Sequence, residues 1–403
     1  MKILFAESHN LDRPDPLGSH HYIGFFKQAG HQCMWFGPAI SPLHLFKADR
    51  LNRNRFQVWR EGIRTVKGID WMVPLSLTFY YNLPVLRSSF VGRNQFRFCL
   101  PPLKGRLQKA GFVPADLLWC AGPVALSLLD LVPHRLSCYR LADRLDKFRR
   151  IPPGVAQLQQ EIIERVDFVL ATSQSLWEWA QQFCTEDVYY LPNGVSEIFF
   201  EPAGETPPQD FPADGRAVAV YLGTLDSRFD LETLARGVAK LKDVHFLIIG
   251  PLTDGTLRPG MKLLQAEENF TWLGPKEHKA VPAYLKHADL GMIPFHLNEL
   301  TEAVNPIKYY EYLACGLPVV APPLRELSAM KGPLYHYRGR ADFCSALKQA
   351  LKAGEEEKKD FTGYARLQTW EIRFQDILKI MEEKTAQKSE QRTLSSTEGA
   401  LRK

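Results

Sequence analysis

Asn305-Pro306-Ile307-Lys308-Tyr309-Tyr310-Glu311-Tyr312-Leu313-Ala314-Cys315-Gly316-Leu317-Pro318-Val319-Val320 reads as a short helix that runs straight into a buried strand. Asn305 is a good N-cap, and Pro306 suits the first helical position because the N–H it lacks would have no partner there. Gly316 and Pro318 end the helix, and the apolar run Pro318 to Ala321 is the strand. At helical spacing Lys308, Glu311 and Tyr312 share one face near the positive end of the helix dipole. A cation, the first-turn amides of Ile307 and Lys308, and a carboxylate one turn on can hold a diphosphate and a ribose together. Phosphate oxygens meet the helix start and Lys308, and Glu311 accepts hydrogen bonds from sugar hydroxyls. The plain alternative is a surface helix carrying an ion pair.

The same run resembles the donor-site signature of GT-B-fold glycosyltransferases, the group-1 family and its bacterial polysaccharide relatives. There a Pro-x-Lys-x-x-Glu-Tyr-x-Ala-x-Gly-x-Pro-Val-Val segment binds the nucleotide-sugar. The resemblance extends, more weakly, over most of residues 1–381. It implies an α/β chain of GT-B architecture, with two doubly wound Rossmann-like domains facing a central cleft.

The chain by itself supports that division. Its 403 residues suffice for two or three domains, and 45% hydrophobic with 24% charged residues is ordinary globular composition. Apolar strands alternate with helical patterns, as in Lys2–Ser8, helix 19–29, Gln32–Gly37 and then Asp116–Cys120, Leu136–Leu141 and Phe168–Thr172. Such alternation means a parallel sheet covered on both faces. Four prolines and two glycines between Glu201 and Gly215 form a linker, after which the pattern restarts at Ala217. The expected boundaries are an N-terminal acceptor-binding domain over 1–200, a linker over 201–216 and a nucleotide-sugar-binding domain over 217–369. A helix over 370–385 packs back on the first domain, and a polar tail over 386–403 is disordered. Leu191-Pro192-Asn193-Gly194-Val195-Ser196 looks like the crossing that closes the N-terminal domain in the family.

Composition narrows the function further. The seven cysteines, at 33, 99, 120, 138, 184, 315 and 344, show no C-x-x-C or other metal spacing and sit partly in apolar runs. Free buried thiols indicate a reducing cytoplasm. The apolar start is too short for a signal peptide, and no run approaches the ~18 apolar residues that cross a bilayer. Net charge is +5, but between His44 and Ala110 thirteen Lys or Arg face three acids, interleaved with ten Phe, Trp or Tyr. Basic residues mixed with interfacial aromatics suit the anionic inner face of a cell membrane, at ~1 kcal/mol per well-placed cation. Stacking on RNA and a plain solvated face are the alternatives; the reading adopted is a membrane partner and no nucleic acid.

Site candidates follow from the chemistry. The leaving diphosphate needs a metal or protein cations, and no D-x-D occurs, so metal independence with no cofactor is expected. Besides Asn305, Ile307, Lys308 and Glu311, the donor set comprises Gly223, Arg228 and Leu273. Arg228 follows the strand ending at Leu225, where group-1 relatives place a phosphate-binding cation, although Gly223-Thr224-Leu225-Asp226-Ser227-Arg228 departs from their spacing. Leu273 ends a strand and can offer backbone groups to the base. The family's first glutamate is replaced by Ala303, with Glu302 beside it, which leaves the retaining mechanism in doubt. Gly18, Ser19 and His20 open the first helix as an acceptor or phosphate loop, the alternative for His20 being simple exposure. Only Gly18 and Gly24 occur there, so no G-x-G-x-x-G marks a dinucleotide dehydrogenase.

Tyr139-Arg140-Leu141-Ala142-Asp143-Arg144-Leu145-Asp146 resembles the Tyr-x-x-x-Asp segment of polysaccharide glycosyltransferases related to the xanthan glucuronosyltransferase. The resemblance makes Asp143 the general base of an inverting displacement and Asp146 its reserve. The alternative is a structural Asp143–Arg144 pair. The function expected is transfer of a hexosyl or glucuronosyl group from a nucleoside diphosphate sugar, a UDP-sugar, to a lipid-linked or polysaccharide acceptor. A GT-B nucleotide-sugar epimerase and a non-catalytic nucleotide-sugar scaffold are the rivals.

Overall fold

The computed structural model describes residues 1–42, 44, 50–78, 86–148, 151–152, 154–202, 204–330 and 332–401, and the side chains of these except 50, 124 and 392–401. The chain forms two compact units, one of Met1–Pro192 with Arg373–Lys403 and one of Asn193–Ile372.

Unit 1 is built on strands β1 (Lys2–Ala6), β2 (Gln32–Phe36), β3 (Arg64–Val66), β4 (Ile69–Met72), β7 (Ala115–Cys120), β8 (His134–Leu141), β9 (Phe168–Ala171) and β10 (Val188–Tyr190). They lie in the order β10-β9-β8-β7-β1-β2-β4-β3, parallel except for β3. The central strands are buried along almost their whole length, which is why they read as unbroken apolar runs. The edge hairpin β3–β4 turns on Lys67 (φ 50°) and Gly68 (φ 76°), a two-residue turn that matches strand twist. A separate ribbon pairs β5 (Leu75–Ser76) with β6 (Cys99–Leu100). The final helix, Trp370–Leu401, lays Phe374 against Phe25 and Phe26, with ring centroids 5.4 and 4.8 Å apart, and pairs Lys388 with Asp167 at 2.5 Å.

That helix corrects one expectation. It does not stop at 385 before a disordered tail but runs to Leu401. From Trp370 to Glu398 there is neither Gly nor Pro, and the composition is dominated by good helix formers.

Unit 2 holds β11 (Ala217–Leu222), β12 (Val244–Ile249), β13 (Phe270–Gly274), β14 (Leu290–Met292), β15 (Val319–Ala321) and β16 (Tyr335–His336), parallel, in the order β13-β12-β11-β14-β15-β16. Strand order reverses between β11 and β14, so the crevice for a ligand opens at the carboxyl ends of those two strands. The segment 201–216 is not a free linker. It belongs to unit 2, where Asp210 meets Lys276 at 2.5 Å and Tyr284 at 2.6 Å, and Asp214 meets His245 at 2.6 Å. The division falls instead at Pro192–Asn193 and Ile372–Arg373. Among the described residues, no helix is long and apolar enough to cross a membrane.

Candidate functional site: the switch point of unit 2

The quoted helix spans Ile307–Ala314, with Pro306 rather than Asn305 at the N-cap. Asn305 turns inward and is 4% exposed. Its amide donates to Glu326 Oε1 at 2.9 Å and Tyr310 Oη at 3.0 Å, and its side-chain oxygen and carbonyl accept from Asn193 N–H and Nδ2 at 3.2 and 2.8 Å. Glu326 is buried and needs donors, so Asn305 is spent on the interior and not on a donor molecule. Through Asn193 the Pro-Asn-Gly-Val run is tied to the start of this helix, and Gly194 leaves room for the Thr369–Trp370 backbone.

The helix is seated by Tyr312, whose ring lies on Gly291 of β14 where no side chain would fit. Its hydroxyl accepts from the Leu222 N–H at 2.7 Å and donates to the Met292 carbonyl at 3.3 Å. That one hydroxyl therefore joins β11 to β14 where the two strands part. It aims the first turn over the switch point.

Lys308 is carried there. Its Nζ lies 4.1 Å from the Tyr221 ring centre, 4.7 Å from that of Phe295 and 3.1 Å from Tyr221 Oη. Tyr221 stands just before the last residue of β11 and Phe295 follows β14, so the ammonium sits between the two strand ends. Gly223 makes this possible. Its φ is +135°, and a Cβ there would stand 2.6 Å from Lys308 Nζ. Burial, with Arg228 close by, pushes the Lys308 ammonium down to about 7. Arg228 thus stands beside the expected phosphate position, but its guanidinium is held by Asp226, at 2.5 Å from Nη2 and 3.0 Å from Nε.

Glu311 lies one turn further along, 8% exposed, and burial raises its carboxyl to about 7 against the opposing pull of Lys308. His278 Nε2 is 3.9 Å from Glu311 Oε1. Leu273 occupies a β-bulge: Trp272 pairs with Ile248 and Gly274 with Ile249, leaving Leu273 without a partner on β12. A bulge at a strand end re-aims backbone groups, which suits recognition of a base edge.

The unit 1 candidates stand differently. Gly18 begins the helix Gly18–Gln28 and gives room to Arg140, since a Cβ would lie 2.6 Å from its Nη2. Ser19 is buried and accepts from Trp119 Nε1 at 3.3 Å. His20 is not an exposed loop tip. Its Nδ1 accepts from the Leu17 N–H at 3.3 Å, so Nε2 carries the proton and donates to the Asn10 carbonyl at 3.0 Å. Its ring lies 4.3 Å from Trp35, and burial pushes it down to about 4, so it is neutral at ordinary pH and caps the helix. Asp143 follows β8, with its carbonyl accepting from Gln159 Nε2 at 3.0 Å. Arg144 pairs with Asp146 through bonds of 2.8 and 2.7 Å. That pairing holds the Asp146 carboxyl below its usual range and makes it a poor base. The sequence reading missed Glu7, which continues β1 beside Ser19 and is raised to about 7 by burial.

Comparison with known proteins bears on unit 2 first. Residues 216–353 match the family model described as glycosyl transferases group 1. Unit 2 carries a group 1 glycosyltransferase domain. The chain is also 29% identical over 246 residues to TuaH of Bacillus subtilis (strain 168), which is named for glycosyl transfer in teichuronic acid biosynthesis. That match covers 58% of this chain and 61% of TuaH, so the chain spans about three-fifths of the relative. Among solved structures, sucrose-phosphate synthase from Thermosynechococcus elongatus has a TM-score of 0.69 at 15% identity, over 95% of this chain and 99% of its own. HepE of Anabaena, in complex with UDP and glucose, has a TM-score of 0.66 at 16% identity, over 95% and 100%. The fold is GT-B.

Around Lys308, Arg228 and Glu311 stand Tyr221, Asp226, His278 and Phe295, candidates that sequence reading passed over. Position at a strand end was their only signal. The lowered Lys308 ammonium has a measurable consequence. A diphosphate beside it favours the charged form, so above pH about 7 donor binding must take up a proton. Between pH 7.5 and 9, where the phosphates are already fully ionised, UDP affinity should fall towards tenfold per unit (roughly, for one proton taken up). Calorimetry in buffers of different ionisation heat reads the proton directly, and a flat profile without proton uptake refutes the assignment.

Proposed function

We propose that this protein is a metal-independent glycosyltransferase that takes a sugar from a UDP-sugar and passes it to a lipid-linked or saccharide acceptor. The observation that carries this reading is Lys308, a cation with its ammonium sheltered between two aromatic rings at the switch point and a buried carboxylate one turn behind it. The domain match, the UDP held by HepE and the pathway in the name of TuaH all support it. Among the described residues, no group of three His, Cys, Asp or Glu is placed to hold a metal ion. In this reading Lys308 and the helix start neutralise the departing diphosphate. A panel of nucleotide-sugars, assayed for UDP release with membrane extract, should show turnover for at least one UDP-sugar, unchanged in EDTA. Loss on chelation that manganese or magnesium restores refutes metal independence. Binding without release indicates a scaffold, and a free epimerised sugar without acceptor indicates an epimerase.

The membrane reading gains an apolar face and loses part of its charge. Leu77, Phe98 and Leu100 are 52, 53 and 46% exposed, and Phe90 is 71% exposed. The Leu77 N–H donates to the Phe98 carbonyl at 2.9 Å, so these two and Leu100 fall on one face of the β5–β6 ribbon. Large apolar side chains grouped in this way suit insertion at a bilayer surface. Several cations are engaged elsewhere: Arg64 by Glu61, Arg93 by Glu161, and Arg97 by Asp130. Arg106 donates to the Gly62 carbonyl at 2.6 Å. Lys104 and Lys109 remain exposed. Phe46, Lys47, Phe79, Tyr80 and Tyr81 lie outside the described residues. Co-sedimentation with liposomes should rise with anionic lipid and fall with salt. Replacing Phe90, Phe98, Lys104 and Lys109 by Ser should abolish it while leaving UDP affinity unchanged. Indifference of the parent protein to anionic liposomes removes the membrane claim.

A further inference from the structure

Behind the site just described, at the far end of the same helix, unit 2 has a second concavity of about 520 Å³. Its walls come from three places: Lys286 and Ala288 before β14, the Cys315-Gly316-Leu317 turn that closes the donor helix, and the helix Glu355–Arg366. Four cations line it, Lys286, Lys358, Lys359 and Arg366, against one carboxylate, Glu355. The volume is that of a small-molecule site and not of a polymer groove. The helix that supplies three of the cations lies beyond the part of the chain that matches the group 1 domain.

Charge alone would be a solvated face. Three observations distinguish this place from one. Gly316, whose φ of +76° closes the donor helix, lies beside Lys358 and Thr362, so the helix-ending turn itself forms one wall of the pocket. Arg366 is not free to wander, because its guanidinium lies over the Phe200 ring at 4.7 Å from the centre. Lys286 is partly buried, and that burial lowers its ammonium from its ordinary value, with Cys315 and Glu201 opposing. A cation short of solvation gains more from an anion than an exposed one does. Glu355 already faces Lys358 at 2.8 Å, which leaves Lys286, Lys359 and Arg366 as the main donors.

We propose that this pocket is a second anion site, for a small phosphate-bearing molecule, distinct from the donor site and joined to it by one helix. Eight residues separate its Gly316 edge from Lys308, about 12 Å of helix. A ligand bridging Lys286 to Arg366 would clamp the turn that ends the donor helix, so occupancy would be felt at the donor site.

The test uses the full-length chain and inorganic pyrophosphate as probe, followed by calorimetry. Lys308→Ala removes the donor-site cation, and the expected result is that this variant still binds one pyrophosphate. Adding Lys286→Ser, Lys359→Ser and Arg366→Ser in that background should weaken the remaining binding by about tenfold or more, as loss of charge-assisted bonds does. Circular dichroism checks folding of each variant, and if the triple substitution unfolds, Lys359→Ser with Arg366→Ser, both exposed, replaces it. The proposal is overturned if folded Lys308→Ala binds no pyrophosphate, or if its binding ignores the pocket substitutions. Failure of the donor reading looks different: UDP then fails to bind the parent, whatever pyrophosphate does.

Discussion

Lys308→Met should bind UDP roughly 10- to 150-fold more weakly than the parent, the range set by ~1.5–3 kcal/mol for a charge-assisted hydrogen bond. The same substitution should not cost stability. The Lys308 ammonium is packed between Tyr221 and Phe295 and desolvated by burial, so an apolar side chain of similar length suits that environment at least as well. Thermal unfolding of Lys308→Met is therefore expected at or above the parental midpoint, while affinity falls. A residue that harms stability and improves binding marks a functional site. Glu311→Ala should also lose about tenfold or more, through the ribose, but with some loss of packing because it is buried. Lys308→Met that binds UDP as tightly as the parent refutes the donor assignment.

Asp143→Asn should lower the transfer rate by about 10²–10⁴, the range for loss of a general base, with UDP affinity unchanged. Affinity is expected to hold because Asp143 belongs to unit 1 and Lys308, Glu311 and Leu273 to unit 2, each on its own sheet. Asp146→Asn is the internal control. Its carboxylate is already engaged by Arg144, whose guanidinium also lies over the Trp179 ring at 4.4 Å, so the change should disturb the loop more than the chemistry. A near-parental rate in Asp143→Asn places the base elsewhere, and Glu7, raised to about 7 at the end of β1, is then the next residue to substitute. The anomeric configuration of the product, read by NMR, checks the inverting course independently. Inversion agrees with a base at Asp143, whereas retention contradicts it.

What the sequence alone determined is what local pattern determines. Apolar runs of strand length alternating with helical periods required parallel sheets covered on both faces, because buried strands must be apolar on both sides. Lys308 and Glu311 were legible as a pair because i and i+3 share a helix face in any context. The Pro-Asn-Gly-Val run and the Pro-rich stretch after it were legible as a junction. Their tertiary roles were not, since Asn193 bonds to Asn305 across 112 residues, and Asp210 and Asp214 bind segment 201–216 to unit 2.

Tertiary structure decided everything that depends on a distant partner. Asn305 had the right residue type for a cap, yet buried Glu326 and Tyr310 claimed its amide. His20 looked like a loop tip until Asn10 and Trp35 enclosed it. Arg228 lies where a phosphate ligand was expected, and Asp226 holds its charge. The chemistry of Lys308 itself was invisible, because a lysine is charged in any sequence and only burial changes that. Tyr221, 87 residues away, and Phe295 supply that burial at the one point where the order of strands reverses, and Gly223 leaves the space for it. Spacing along a chain records which groups can share a face; desolvation and pairing are set by what the fold brings against that face, and these decide what the groups can do.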